Sequence, residues 1–156
     1  MRVGIGYDVH PLVAGRALVL GGVRIEHSTG LDGHSDADVL THAVIDAVLG
    51  AAGLGDIGTL FPASDARFKD ASSLDMLASA VDAVRQSGYQ VTNVDCTVIA
   101  QEPRLKDYLH AMKQALAQRL GTYNVNIKGK SPEGLGALGH GEGIAAQAVA
   151  TIEEAH

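Results

Sequence analysis

This chain of 156 residues has no tryptophan, one cysteine and four prolines, and its only aromatics are two phenylalanines and four tyrosines. A single thiol, Cys96, rules out an internal disulfide and points to a reducing compartment, with the thiol buried in the core. Basic residues number 12 against 18 acidic ones, for a formal charge of -6, and no basic run occurs. A nucleic-acid surface is therefore not expected, because phosphate neutralisation dominates that kind of binding. The N-terminus has no apolar signal region and no Arg/Ser-rich transit segment. No stretch reaches the roughly 18 apolar residues that a membrane helix needs. The expectation is a soluble cytoplasmic protein without a membrane partner.

What the chain does have is 46% apolar residues, enough for a core, and 19 glycines. So many glycines suit tight turns and loops that approach a ligand through backbone. The length is that of one ordinary domain, so residues 1–156 are taken as a single unit.

Val3 to His10 reads as a strand that Pro11 ends, and Ala17 to Ile25 as a hairpin turning at Gly21-Gly22. A Gly/His/Asp-rich loop follows from Ser28 to Ser35. A helix is expected from near Asp36, with Ser35 as its N-cap, Asp38 completing a capping box, and an apolar stripe at 40, 44, 45, 48 and 49. Residues 56–65 read as loop, 74–86 as a helix capped by Ser72 or Ser73, and 89–101 as strand. A third helix is expected over 105–120, a strand over 123–128, and a Gly-rich loop over 130–143. The Ala-rich stretch 144–154 would suit a helix, but its alternation favours a strand. The order implies one α/β domain whose sheet is covered by helices on one face. Its open face should then meet another subunit, because the late strands lack polar alternation.

Asp8 and His10 are two apart on a strand and so project to one side. His42, early in the next helix, could add a third ligand and leave a fourth position open, the pattern of catalytic zinc. Other first-row metals suit the same donors. Spacing alone also allows a hydrolase, a structural site or no metal at all. Asp38, His42 and Asp46 share a helical face, so either aspartate could hold the second ring nitrogen of His42, or both could simply be solvated.

Several separated motifs carry a resemblance that covers nearly the whole chain. They are Gly6-Tyr7-Asp8-Val9-His10, Gly21-Gly22-Val23, His34-Ser35-Asp36-Ala37-Asp38 with His42-Ala43, and Gly55-Asp56-Ile57-Gly58 with Phe61-Pro62. Ile99-Ala100-Gln101 with Pro103, and Glu133-Gly134-Leu135-Gly136 with Gly141-Glu142-Gly143, follow in the same order. Together they resemble the 2-C-methyl-D-erythritol 2,4-cyclodiphosphate synthase family of the non-mevalonate isoprenoid pathway.

The resemblance implies a metal-dependent lyase that binds a small cytidine diphosphate substrate, 4-diphosphocytidyl-2-C-methyl-D-erythritol 2-phosphate. The substrate's own 2-phosphate attacks its β-phosphate and CMP leaves. Asp8, His10 and His42 are implied to hold zinc, and Glu133 a second cation, magnesium or manganese, between the phosphates. His34, with Ser35 beside it, is implied near the attacking phosphate, and Ser131 matches a phosphate-binding hydroxyl, next to Lys130. Asp56, Ile57 and Gly58 match a ribose-contacting turn, and Phe61 to Asp65 a loop near the erythritol. Ala100, Pro103, Arg104, Leu105 and Lys106 match the cytosine pocket. The family implies a homotrimer around its sheets, with active sites at subunit boundaries. Three positions depart from the pattern: Ala63 in place of an acidic residue, Ala137 in place of an aromatic, and His140 in place of an arginine. The last two line a threefold-axis cavity in the family, and a neutral histidine there holds an anion more weakly than arginine.

Overall fold

The computed structural model describes all 156 residues. A five-stranded sheet runs in the order β4-β1-β7-β5-β6. Its strands are β1 (Arg2–Ala14), β4 (Thr29–Leu31), β5 (Tyr89–Ile99), β6 (Val125–Lys130) and β7 (Gly143–Glu154). The hairpin β2 (Leu18–Leu20) and β3 (Val23–Ile25) stands apart as its own small sheet. The helices are α1 (Val39–Ala52), α2 (Ile57–Leu60), α3 (Ser73–Gln86), α4 (Leu109–Leu120) and α5 (Gly136–Gly139). β5 pairs parallel to β6 and antiparallel to β7, so the sheet is mixed. No helix is long and apolar enough to cross a membrane.

β1 does not stop at Pro11. Arg2 to Pro11 pair with β7, whereas Leu12 to Ala14 pair with β4. Proline's missing N–H falls where the partner changes, and its carbonyl still accepts from Asp32 N at 2.9 Å. β4 itself lies inside the segment expected to be loop. The Ala-rich C-terminal stretch is a strand, as its alternation indicates.

That stretch is small because α1 lies on it. Gly4 and Gly6 of β1 and Ala146, Ala148 and Ala150 of β7 face the helix, and the three alanines are buried. A Cβ on Gly4 would fall 1.9 Å from the Ala47 carbonyl oxygen, and one on Gly6 1.8 Å from that of Ala43. Two strand residues and four helical residues advance by about the same distance, roughly 6 to 7 Å. β1 and α1 therefore run side by side in opposite directions, and the next step along brings Asp8 to the first turn of α1, where His42 sits. All of α1 except Asp46 and Gly50 is buried, because α3 covers its other side. Fully enclosed side chains such as Leu40, Ile45 and Leu49 contribute about 2 kcal/mol each by leaving water.

The opposite face of the sheet has no helix on it. Val3, Ile5, Tyr7 and Val9 of β1 are 46–73% exposed there, with Val149 of β7 beside them. Toward the other edge the face turns polar, with Lys128 paired to Asp95 at 2.7 Å. The apolar surface thus comes mainly from the first strand, not from the late strands.

Candidate metal centre and adjoining recesses

Asp8, His10 and His42 converge. Their nearest ligand atoms all lie within 4.8 Å of one another. Asp8 Oδ2 is 2.9 Å from His10 Nε2 and 3.0 Å from His42 Nδ1. Burial raises the Asp8 pKa, but the close approach of the two imidazoles outweighs it and holds it at about 2. The Asp8 carboxylate in turn raises the pKa of His10 against the opposing effect of burial. Despite its nearness to Asp8, His10 Nε2 is buried and has no well-directed hydrogen bond. An unsatisfied ring nitrogen beside a second nitrogen and a carboxylate is a donor set suited to a divalent cation. The cluster can therefore hold a metal.

Helix α1 begins three residues later than expected, and its N-cap is Asp38, not Ser35. Ala37 holds a left-handed backbone (φ 57°), which keeps the preceding residues out of the helix. Asp38 is fully buried and accepts from Gly21 N at 2.9 Å, Gly22 N at 2.7 Å, Thr41 N at 3.0 Å and Thr41 Oγ1 at 2.7 Å. Burial pushes its pKa up, against these hydrogen bonds. It ties the β2–β3 turn to α1 and does not touch the His42 ring. Asp46 does not either; it accepts from Ile57 N at 2.8 Å and so anchors α2. The outer nitrogen of His42, Nε2, instead meets Ser73 Oγ at 2.8 Å and Ser35 Oγ at 3.0 Å. Sequence spacing along one helix missed Ser73 because it arrives from α3, 31 positions away.

A recess of about 210 Å³ opens beside the cluster, lined by Asp8, His10, His34, Ser35, His42 and Ile57 and closed by Gly58, Phe61, Ala63, Phe68 and Met76. His34 Nε2 lies 3.3 Å from the Asp65 carbonyl oxygen. The Asp65 carboxylate grips Arg67 at 2.6 Å. Asp56 caps α2: its Oδ1 accepts from Thr59 N and Thr59 Oγ1, both at 3.0 Å. This one-turn helix stands where loop was expected, and the pairing Asp56-x-x-Thr59 was its signal. From the far side, Arg16 donates to the carbonyls of Leu31 and Ser35, both at 3.0 Å, and holds the loop carrying His34.

A second recess, about 540 Å³, is lined by Ala100, Pro103, Arg104, Leu105, Lys106 and Lys130, with Ser131, Gln101, Leu109 and Gly129. It lies at the same end of the sheet as the cluster, since Asp8 and Val98 both pair with Ala146, from opposite sides of β7. Glu133 lines neither recess. It sits at φ 57°, its N–H donating to Ser131 Oγ at 3.0 Å, and the next residue, Gly134, donates to Gln101 Oε1 at 2.9 Å. The Glu133 loop is thereby fastened to the rim of the second recess. His140 lies apart, lining a third recess with His27 and Glu102.

The sequence profile of the YgbB family matches residues 1–153. A 2-C-methyl-D-erythritol 2,4-cyclodiphosphate synthase of Clostridium acetobutylicum is 52% identical over 154 residues, covering 97% of this chain and 99% of that protein. Among solved structures, the bifunctional IspDF of Campylobacter jejuni superposes with a TM-score of 0.95 at 43% identity. It covers 99% of this chain, which spans only 42% of that longer protein. An IspF of Plasmodium falciparum, solved as a CDP complex, gives a TM-score of 0.86 at 32% identity and covers 99% of this chain and 97% of that one.

Proposed function

The chain belongs to the YgbB family, and from that premise we propose that it is a cyclodiphosphate synthase. It converts 4-diphosphocytidyl-2-C-methyl-D-erythritol 2-phosphate to 2-C-methyl-D-erythritol 2,4-cyclodiphosphate and CMP. An oxygen of the substrate's 2-phosphate forms a bond to the β-phosphorus. The bond from that phosphorus to the oxygen bridging to the α-phosphate breaks, and CMP departs with that oxygen. No protein nucleophile is needed. The protein's work is to fold the substrate so that its phosphates meet, and to offset their charge.

The observation that carries this reading is the Asp8–His10–His42 cluster, with its unsatisfied Nε2, at the sheet end that also carries the second recess. Asp8, His10 and His42 would hold zinc, and Glu133, with substrate phosphates, magnesium or manganese. Bound cations would polarise and neutralise the phosphates. His34 and Ser35 line the recess against the cluster and stand ready for the attacking phosphate. Lys130 and Ser131 offer a charge and a hydroxyl to the diphosphate. The recess from Ala100 to Lys106 takes the cytosine. Asp56 keeps Oδ2 free of the cap and can accept from a ribose hydroxyl. Ala63 supplies no carboxylate to the erythritol.

In one chain the cluster lines one recess, while Glu133 stands on a loop fastened to the rim of the other. A homotrimer joins the metal centre of one subunit to the cytidine pocket of the next, and the uncovered apolar face of β1 suits such packing. Incubation with the substrate, read by mass spectrometry, should give the cyclic diphosphate and CMP. Chelation, or His42→Ala, should abolish both. A linear hydrolysis product, or CMP release from a substrate lacking its 2-phosphate, would overturn the proposal.

A further inference from the structure

Behind the metal cluster lies a polar chain that begins outside β1 and α1. Ser73, the first residue of α3, is fully buried. Its Oγ lies 2.8 Å from His42 Nε2 and also makes a very close hydrogen bond to Asp36 Oδ1. The Ser73 N–H donates to the other oxygen, Asp36 Oδ2, at 3.0 Å. The Asp36 N–H donates to the Ala71 carbonyl at 3.1 Å, which fixes Asp36 against the start of α3.

These contacts set the direction of every proton. A carboxylate only accepts, so the hydroxyl hydrogen of Ser73 goes to Asp36. Ser73 Oγ then offers a lone pair to His42, and Nε2 must be the donor. Ser35 Oγ, 3.0 Å from the same nitrogen, offers a second acceptor. On the inner side Nδ1 lies 3.0 Å from the Asp8 carboxylate, which also only accepts, so without a metal both ring nitrogens face acceptors. A cation taking Nδ1 displaces the proton there and leaves Nε2–H held by Ser73. A histidine can ligate a metal only through an unprotonated nitrogen.

We propose that Ser73, oriented by Asp36, is a positioning residue that fixes the His42 tautomer and ring plane so that Nδ1 faces the metal. This rests on the reading of Asp8, His10 and His42 as metal ligands. Ser73 touches neither substrate nor metal in this scheme and acts through His42 alone.

The test uses the full chain with ¹⁵N-labelled histidine. In zinc-loaded protein the His42 Nε2–H proton should be observable and slow to exchange with solvent, and in Ser73→Ala it should exchange faster. Chelator competition should show zinc affinity reduced about 10- to 100-fold in Ser73→Ala, with an unchanged circular dichroism spectrum. Asp36→Asn should weaken zinc in the same direction, and Ser73→Thr, which keeps the hydroxyl, should restore most of it. Should Ser73→Ala fail to fold, Asp36→Asn and Ser73→Thr carry the comparison. Unchanged zinc affinity in the folded variants, or Nε2–H exchange equally slow without the hydroxyl, overturns the proposal. Absence of zinc binding by the unaltered protein would instead defeat the metal reading, and the positioning role with it, an outcome distinct from a variant-specific result.

Discussion

Gly6 and Ala43 meet backbone to backbone: a Cβ on Gly6 would lie 1.8 Å from the Ala43 carbonyl oxygen. That contact holds β1 and α1 at the separation that lets Asp8 reach His42. Gly6→Ala is expected to cost at least about 3 kcal/mol, because the obstacle is main chain and cannot rotate away. Zinc binding should fall with it. Gly15→Ala, at φ 81° with open space around it, should cost only about 1 to 2 kcal/mol and leave metal affinity alone. Denaturant midpoints with metal titrations separate the two; equal costs would refute the close-approach argument.

The cluster's pH response has two parts of opposite sign. Asp8, lowered from 3.8 to about 2, contributes stability that is present above 3.8 and lost as pH falls through 2. His10 is raised above 6.5, so its contribution in the metal-free protein is full below 6.5 and lost as pH rises through its folded value. Zinc requires His10 unprotonated and should therefore bind more tightly as pH rises. The Tm difference between zinc-loaded and metal-free protein should widen as pH rises above 6.5 and close in acid. A difference independent of pH would exclude His10 as a ligand.

Glu133 occupies a left-handed backbone that costs a non-glycine residue about 1 to 2 kcal/mol. Glu133→Gly removes that strain while adding unfolded-chain entropy, so Tm should hold or rise. Turnover should nonetheless fall, more steeply at low magnesium. A lowered Tm with full turnover would show that Glu133 serves the loop and not a cation.

Cys96 lies on the helix-covered side of β5, and burial pushes its thiol up to about 12. It should resist alkylation in the native protein and react once the chain is unfolded. Rapid native labelling would mean that β5 opens locally.

The metal triad was legible because its logic is periodic: alternate residues on a strand, then one in the first turn of a helix. The partners of His42 were not. Asp38 and Asp46 share its helical spacing, but one was taken up as a cap for α1 and the other as an anchor for α2. The hydrogen bond went to Ser73, whose nearness depends on how α3 packs, and one-dimensional spacing carries no such information. Pro11 misled for a related reason. A missing donor ends a strand only if a partner needs it there, and at Pro11 the partner changes. β4 and α2 are one turn or three residues long, too short for any period to show.

Alternate residues of β1 serve two masters: Asp8 and His10 point in toward α1, while Tyr7 and Val9 point out to the uncovered face. Point substitutions on either side can drift separately, but chain length cannot. Insertion or loss of one residue within β1 just before Asp8 would exchange the two sets, turning Asp8 and His10 to the outside and apolar side chains in toward α1. Evolution can repaint this strand but cannot re-space it.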